Sequence, residues 1–356
     1  MRVEVDSMRI LLRIPNWVGD AVICLPAIEA VRDSFPGSSI TVLARPWVAP
    51  IMEVHPAIDH VIQYKRPGKL LQNLKEMFSI ITILNRKKFD LAILFQNAFE
   101  AAFIAWCARI PSRVGYGTDR RGFLLTRSLK IRRQEGKDHQ IHYYLGILEA
   151  MGLKARYKEP RIYLPPSVSA EARKRLAGEG VRDGDLLVGL GPGAMFGGAK
   201  RWPPEDFASV GERASRIKGS KLVILGSKGE KDIAQAVERK LNGLAVNLCG
   251  KTELNEAVAV IGRCNVFVTN DSGLMHVAAA MGVPTVAVFG PTDPSATGPV
   301  GAVATYVRAE VECAPCLKAE CPGDHKCMNS VTVDMVWREV ERLLTAMQQD
   351  TGGLKR

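Results

Sequence analysis

The chain of 356 residues contains no run of about 18 uninterrupted apolar residues, the length a helix needs to cross a bilayer. Its most apolar stretch, Leu274 to Phe289, is interrupted by His276, Gly282 and Pro284. The first residues carry Glu4 and Asp6 ahead of a strand-like run, whereas a secretory leader combines a basic start with an apolar core. A soluble, cytoplasmic protein is expected. Short-period repeats and low-complexity tracts are also missing. With 47% apolar and 24% charged residues, disordered and fibrous chains are excluded. At roughly 100–200 residues per domain, the length suggests two domains, each with enough core to need no disulfide or metal staple.

Acidic residues are scarce in one half only. The whole chain has 48 Lys+Arg against 37 Asp+Glu, a formal charge of +11. Residues 1–165 hold 25 basic and 15 acidic side chains, a net of +10, so nearly all the excess lies there. Segment 107–137 has nine basic residues (Arg109, Arg113, Arg120, Arg121, Arg127, Lys130, Arg132, Arg133 and Lys137) against Asp119 and Glu135. Such asymmetry fits an anionic partner: nucleic acid, an anionic membrane surface, or a phosphorylated or carboxylated ligand. A merely solvated basic face fits it too.

Apolar runs alternate with segments of helical spacing. Strands are expected at Met8–Ile14, Ser39–Leu43, His60–Tyr64, Asp90–Phe95, Arg113–Tyr116, Leu186–Leu190, Lys221–Leu225, Ala245–Leu248, Val266–Thr269 and Thr285–Phe289. Helices are expected between them, including Ala21–Phe35, Lys69–Lys87, His139–Met151 with Gly152 as its C-cap, and Val333–Gln348. This alternation gives βαβ units and parallel sheets, hence an α/β fold of two Rossmann-like domains. Pro160, Pro165 and Pro166 mark a break. The expected organisation is an N-terminal domain over 1–160, a linker over 161–180, a C-terminal domain over 181–332 and a final helix over 333–350.

Ligands bind at the carboxyl ends of parallel strands, so the loops after strands are the places to look. Asn16-Trp17-Val18-Gly19-Asp20 follows the first strand. Asp20 suits a general base at the sheet's mouth, and equally a helix N-cap. Asn270-Asp271-Ser272-Gly273-Leu274-Met275-His276 opens a helix. Its N–H groups and dipole suit a phosphate, with Ser272 and Gly273 as unhindered donors. Asp271 reads as a helix cap or a sugar-hydroxyl ligand, and His276 as a packed or a binding residue. The loop Gly189 to Pro204 carries Gly191 and Gly193 and then Lys200-Arg201, cations able to neutralise a departing diphosphate or to sit on an ordinary surface. It lacks G-x-G-x-x-G spacing and the Gly-Lys-Ser/Thr of a Walker loop, which disfavours a dinucleotide oxidoreductase.

Cys313, Cys316, Cys321 and Cys327, with His325 among them, lie within one Ala/Pro/Gly-rich segment. The spacing is irregular for a zinc ribbon. Structural zinc, free or redox-sensitive thiols, and an iron–sulfur cluster all remain open. The other cysteines (Cys24, Cys107, Cys249 and Cys264) sit in apolar contexts and read as core.

Four segments together resemble the lipopolysaccharide heptosyltransferases of glycosyltransferase family 9. They are Arg13-Ile-Pro-Asn-Trp-Val-Gly-Asp20, Pro192-Gly-Ala through Ala-Lys-Arg-Trp-Pro-Pro204, Asn270-Asp-Ser-Gly-Leu-Met-His-Val-Ala-Ala-Ala280 and Phe289-Gly-Pro-Thr292. The Cys-rich segment resembles that of the heptosyltransferase II branch, which adds the second inner-core heptose. The resemblance runs from Met8 to about Leu344.

It implies a GT-B fold whose two domains face a central cleft, with the last helix returning to the N-terminal domain. It also implies an inverting, metal-independent transfer that needs no cofactor. ADP-heptose would be the donor, and a heptosylated Kdo–lipid A the acceptor. Asp20 would be the base and Lys200 the diphosphate contact. Asp271 would meet the donor sugar, and Ser272, Gly273, His276 and Gly193 would line the donor site. Gly226, Ser227 and Glu230 are candidates for the adenosine. Arg113, Arg120 and Arg121 are candidates for the acceptor. A monomer is expected, peripherally associated with the inner face of the inner membrane and its anionic lipids. Two alternatives stand beside this one: a family 9 enzyme with another acceptor (heptosyltransferase I, III or IV), and a basic nucleic-acid-binding protein. No recognition-helix or stacking motif supports the latter.

Overall fold

A computed structural model describes residues 7–131 and 139–353, which fall into two compact units, Met1–Tyr163 and Leu164–Arg356. Glu4, Asp6, Arg132, Arg133, Glu135 and Lys137 lie outside the described residues.

The first unit is built on six parallel strands: β1 (Arg9–Arg13), β2 (Ser39–Ala44), β3 (His60–Gln63), β4 (Leu91–Leu94), β5 (Ser112–Tyr116) and β6 (Arg127–Leu129). Their order is β3-β2-β1-β4-β5-β6. The central strands are apolar at consecutive positions because helices cover both faces: Ile10, Leu11 and Leu12 are buried, as are Leu91 to Leu94. The second unit repeats the plan with β7 (Leu186–Gly191), β8 (Ser220–Ile224), β9 (Ala245–Asn247), β10 (Val266–Asn270), β11 (Thr285–Phe289) and β12 (Ala304–Arg308), in the order β12-β11-β10-β7-β8-β9. Counted within its own unit, each sheet has the doubly wound order 3-2-1-4-5-6. Strand order reverses between β1 and β4 in the first sheet and between β7 and β10 in the second. The loops after these four strands frame the ligand positions of such a fold. Among the described residues, no helix is long and apolar enough to cross a membrane.

Several expectations are corrected. The single helix foreseen over Ala21–Phe35 is two, Val18–Ile23 and Leu25–Ser34. Pro26 has no N–H to continue the first helix, and Cys24 closes one helix and opens the next. The linker foreseen over 161–180 is mostly helix, Pro166–Gly178, with Pro165 as N-cap and Pro166 in the first turn, where a missing N–H costs nothing. Ala172 and Leu176 bury it in the second unit. The helix Val333–Gly353 also belongs there: Val336, Val340, Leu343 and Leu344 join the core beneath β10 and β11 that holds Trp202 and Phe207. The resemblance implies a last helix returning to the N-terminal domain; the apolar stripe of this helix packs on the second sheet.

Several elements had no sequence signal, three of them part of the first unit's helix layer or a sheet edge. The helix Phe99–Cys107 is apolar almost throughout, so it shows no stripe; its first N–H is held by the Asp119 carboxylate at 2.6 Å. Strand β6 has only three residues, and β12 is a half-exposed edge strand.

Candidate functional site

At the first switch point, β1 leads through Pro15 and Asn16 into the helix Val18–Ile23. The loop is pinned by its own cations. The Asn16 side-chain oxygen accepts from Arg13 Nη2 at 2.8 Å and from Arg45 Nε at 3.2 Å, and its main-chain oxygen accepts from Trp47 Nε1 at 2.8 Å. Arg13 is 1% exposed, and burial, then neighbouring Arg45, pulls its guanidinium down to about 9.

Asp20 occupies the first turn of the helix, where an acid suits the dipole, but Trp17 is the capping residue and Asp20 is not. The cap reading is therefore corrected. The Asp20 carboxylate instead accepts from Gln140 Nε2 at 2.9 Å, and the same amide lies 3.1 Å from the Tyr144 hydroxyl. Burial first, and the Asp20 charge second, hold the Cys24 thiol and the Tyr144 phenol well above their ordinary values, so both stay neutral. A half-buried carboxylate oriented by an amide is competent to take a proton.

At the second switch point, β10 ends at Asn270, which is 0% exposed and ties two loops together. Its Oδ1 accepts from the Trp202 N–H at 3.0 Å, and its Nδ2 donates to the Pro192 carbonyl at 2.8 Å. Asp271 follows, with Lys200 Nζ at 2.5 Å from its Oδ2 and the Thr292 hydroxyl donating to the same oxygen at 2.6 Å. The Lys200 and Asp271 side chains are only 12% and 6% exposed. Ser272 caps the helix Gly273–Ala280 with extended backbone, but its side chain makes no cap hydrogen bond and lies 3.2 Å from the Thr269 hydroxyl. Asp271 is thus not the cap either. The first turn is half-exposed, whereas Met275 onward, including His276, is buried. A cation and a helix N-terminus at one strand end form an anion-receiving arrangement.

A match to the description "Glycosyltransferase family 9 (heptosyltransferase)" covers residues 77–327. Lipooligosaccharide heptosyltransferase 2 of Haemophilus ducreyi is 33% identical over 357 residues, spanning 95% of this chain and 99% of its own. Its namesake in Haemophilus influenzae is 31% identical over 351 residues, with the same coverage. The chain belongs to glycosyltransferase family 9. The solved structure of the Escherichia coli ADP-heptose heptosyltransferase II superposes with a TM-score of 0.82 at 26% identity, covering 96% of this chain and all of that one. The two doubly wound sheets of this family 9 chain are those of a GT-B protein.

The remaining expected donor residues of the family 9 chain hold the site together. A Cβ on Gly193 would stand 2.2 Å from Glu230 Oε1, so glycine is what lets the loops after β7 and β8 meet. Glu230 in turn accepts from Ser227 N and Oγ, both at 2.7 Å, in a capping box. Gly226 packs against Cys249 in the same way.

Two of the three expected acceptor residues are corrected. Arg121 is 0% exposed, and its guanidinium donates to the main-chain oxygens of Tyr116, Gln96 and Ala98, bracing the ends of β4 and β5. Burial pulls it down to about 10. Arg113 donates to Leu124 O at 2.7 Å and to Ile110 O. Arg120 is exposed, with φ of 55°.

Cys313, Cys316, Cys321 and Cys327 are all free thiols. Among the described residues, no three His, Cys, Asp or Glu side chains are gathered as a metal site. Burial first, and then Cys313, Cys321 and Cys316, hold the Cys327 thiol above its ordinary value, so the four thiols are neighbours. The segment also does mechanical work. Ala319 O accepts from the Ala199 N–H at 2.9 Å, Glu320 Oε1 accepts from the Gly198 N–H at 3.1 Å, and the Leu317 N–H donates to Pro291 O at 2.8 Å. It thereby backs both the Gly198–Lys200 turn and the loop carrying Thr292. Gln140 and Thr292 were not foreseen as site residues. Thr292 lay in a quoted motif without a role, and Gln140 is 120 residues from Asp20 with no local signal.

Proposed function

We propose that the protein transfers heptose from ADP-heptose, with inversion, to the heptosylated Kdo–lipid A of the lipopolysaccharide inner core. The observation that carries this reading is the Lys200–Asp271–Thr292 group beside the first turn of helix Gly273–Ala280, in a family 9 chain with full-length similarity to heptosyltransferases 2. Lys200 and the helix N-terminus receive the diphosphate as charge develops on it. Asp271 orients Lys200 and meets the donor sugar. Asp20 takes the proton of the acceptor hydroxyl as it attacks the anomeric carbon opposite the leaving ADP. The transition state is oxocarbenium-like, and neither a metal nor a cofactor has a step in it. The enzyme works as a monomer, peripherally associated with the inner face of the inner membrane, where its acceptor is embedded.

Two measurements test this reading. ADP should raise the melting temperature, and UDP, GDP and NAD should not. Asp20→Asn should lower kcat at least about 100-fold while keeping the ADP-induced shift. Turnover within about tenfold of the parent would remove Asp20 as the base, and equal protection by all four nucleotides would remove the donor assignment.

A further inference from the structure

The helix Leu70–Lys87 spends only one stripe on the core. Ile80 and Leu84 are buried, and Met77 and Ile81 lean on the same cluster. Its first turns present a second apolar stripe to solvent: Leu70, Leu71, Leu74 and Phe78 are 73%, 80%, 38% and 64% exposed. Leu70, Leu74 and Phe78 recur every four residues and so share one face, with Leu71 beside them. The helix Phe99–Cys107 packs against this one and carries a row of rings of its own. Phe123 to Phe99, Phe99 to Phe103 and Phe103 to Trp106 are separated by 6.2, 6.1 and 6.2 Å, with Phe123 78% and Trp106 50% exposed. Isolated exposed apolar residues are ordinary, but a continuous group of them on one face marks a docking surface.

The charge around the group identifies the occupant. Residues 65–88 contain Lys65, Arg66, Lys69, Lys75, Arg86, Lys87 and Lys88 against the single acid Glu76. An apolar stripe flanked by cations is the composition of a helix that lies in a lipid headgroup layer, its side chains buried among the acyl chains and its cations at the anionic phosphates. A second copy of the chain would bring the same cations face to face, which disfavours self-association through this surface.

We propose that the first turns of helix Leu70–Lys87, together with the Phe99–Trp106 row, dock the enzyme on an anionic phospholipid bilayer. The proposal rests on the reading of a lipid-embedded acceptor and adds the surface that reaches it.

The test uses the full chain and its Leu71→Glu/Phe78→Glu variant, sedimented with vesicles of phosphatidylethanolamine and phosphatidylglycerol at 3:1 and with vesicles of phosphatidylcholine alone. The parent should bind the anionic vesicles and not the neutral ones, and the variant should bind the anionic vesicles about tenfold or more weakly. Both positions are exposed, so the variant should keep the parent's melting temperature, its ADP shift and its turnover on a deacylated acceptor, while its KM for a vesicle-embedded acceptor rises. Equal sedimentation of parent and variant, or no binding of the parent to anionic vesicles, overturns the proposal. So does a concentration-dependent dimer that the variant abolishes. If turnover on the deacylated acceptor persists in any of these cases, only the docking surface fails; absent turnover by the parent instead rejects the transferase reading.

Discussion

At the scale of single residues, the proposed chemistry gives two carboxylates different tasks, Asp20 at the proton and Asp271 on the donor side. The Asp20 carboxylate accepts from the Gln140 amide, whereas the Asp271 carboxylate is engaged by Lys200 and Thr292. Removing Lys200 should therefore have two consequences. Lys200→Ala takes away the proposed diphosphate contact and leaves Asp271 buried without its cation, an unpaired charge that costs on the order of 3 kcal/mol. The variant should show a lower urea midpoint and a smaller ADP-induced melting shift. A double variant Lys200→Ala/Asp271→Asn should regain much of the midpoint but not the ADP shift. Recovery of both would show that Lys200 acts only on stability. The positions of Asp20, Lys200 and Asp271 were legible in the sequence because strand-end loops are local features. Their partners were not: Gln140 reaches Asp20 only through tertiary packing. Arg121 looked like an acceptor cation because composition counts charges without saying which way they point. In the fold its donors serve main-chain oxygens.

At the scale of elements, the parallel strands were readable because burial on both faces leaves uninterrupted apolar runs, as in Val266–Phe-Val-Thr269 and Thr285–Phe289. The segments that failed share a physical cause: their local signals were ambiguous. Prolines 165 and 166 suit a linker and a helix start equally, and the Phe99–Cys107 helix has no polar face to give it a period. The Cys-rich segment has a role its spacing does not announce, since its backbone braces the Lys200 turn. Its closest approach is at Gly197, where a Cβ would stand 2.1 Å from Ala319 O. A main-chain oxygen fixed by the Ala199 N–H cannot step aside cheaply, so the turn itself must move. Gly197→Ala should raise the donor KM about tenfold with a smaller change in kcat, because a misplaced binding group is lost in ground and transition states alike. An unchanged donor KM would mean that the brace does not set the position of Lys200.

At the scale of the whole molecule, both sheets bury thiols, and this sets how stability responds to alkali. Burial pushes Cys249 up to about 11 and Cys264 up to about 12 from an ordinary 9.0, and pushes Cys24 well above it. Each folded thiol thus holds its proton where the unfolded one releases it. The stabilisation is fully present below pH 9 and is lost as pH rises toward the folded values. Each thiol then costs about 1 kcal/mol of stability between pH 9 and 10. The phenols of Tyr64 and Tyr116, raised by burial to about 12, extend the decline above pH 10. Arg13 and Arg121 act in the opposite direction: a folded guanidinium lowered to about 9 or 10 gains stability with rising pH if it releases its proton. Both donate to several fixed oxygens that retain the proton, and with Arg45 and Arg113 they are four lowered guanidiniums against ten raised thiols and phenols among the described residues, so the decline should win. Urea midpoints measured with reductant should be level from pH 7.5 to about 9 and fall clearly by pH 10. A Cys264→Ala variant should lose part of that slope. A midpoint that stays level or rises through pH 10 would mean that the thiols ionise in the folded state at their ordinary value, or that the arginines dominate. These outcomes separate in the Cys264→Ala variant, which keeps the arginine contribution and lacks one thiol.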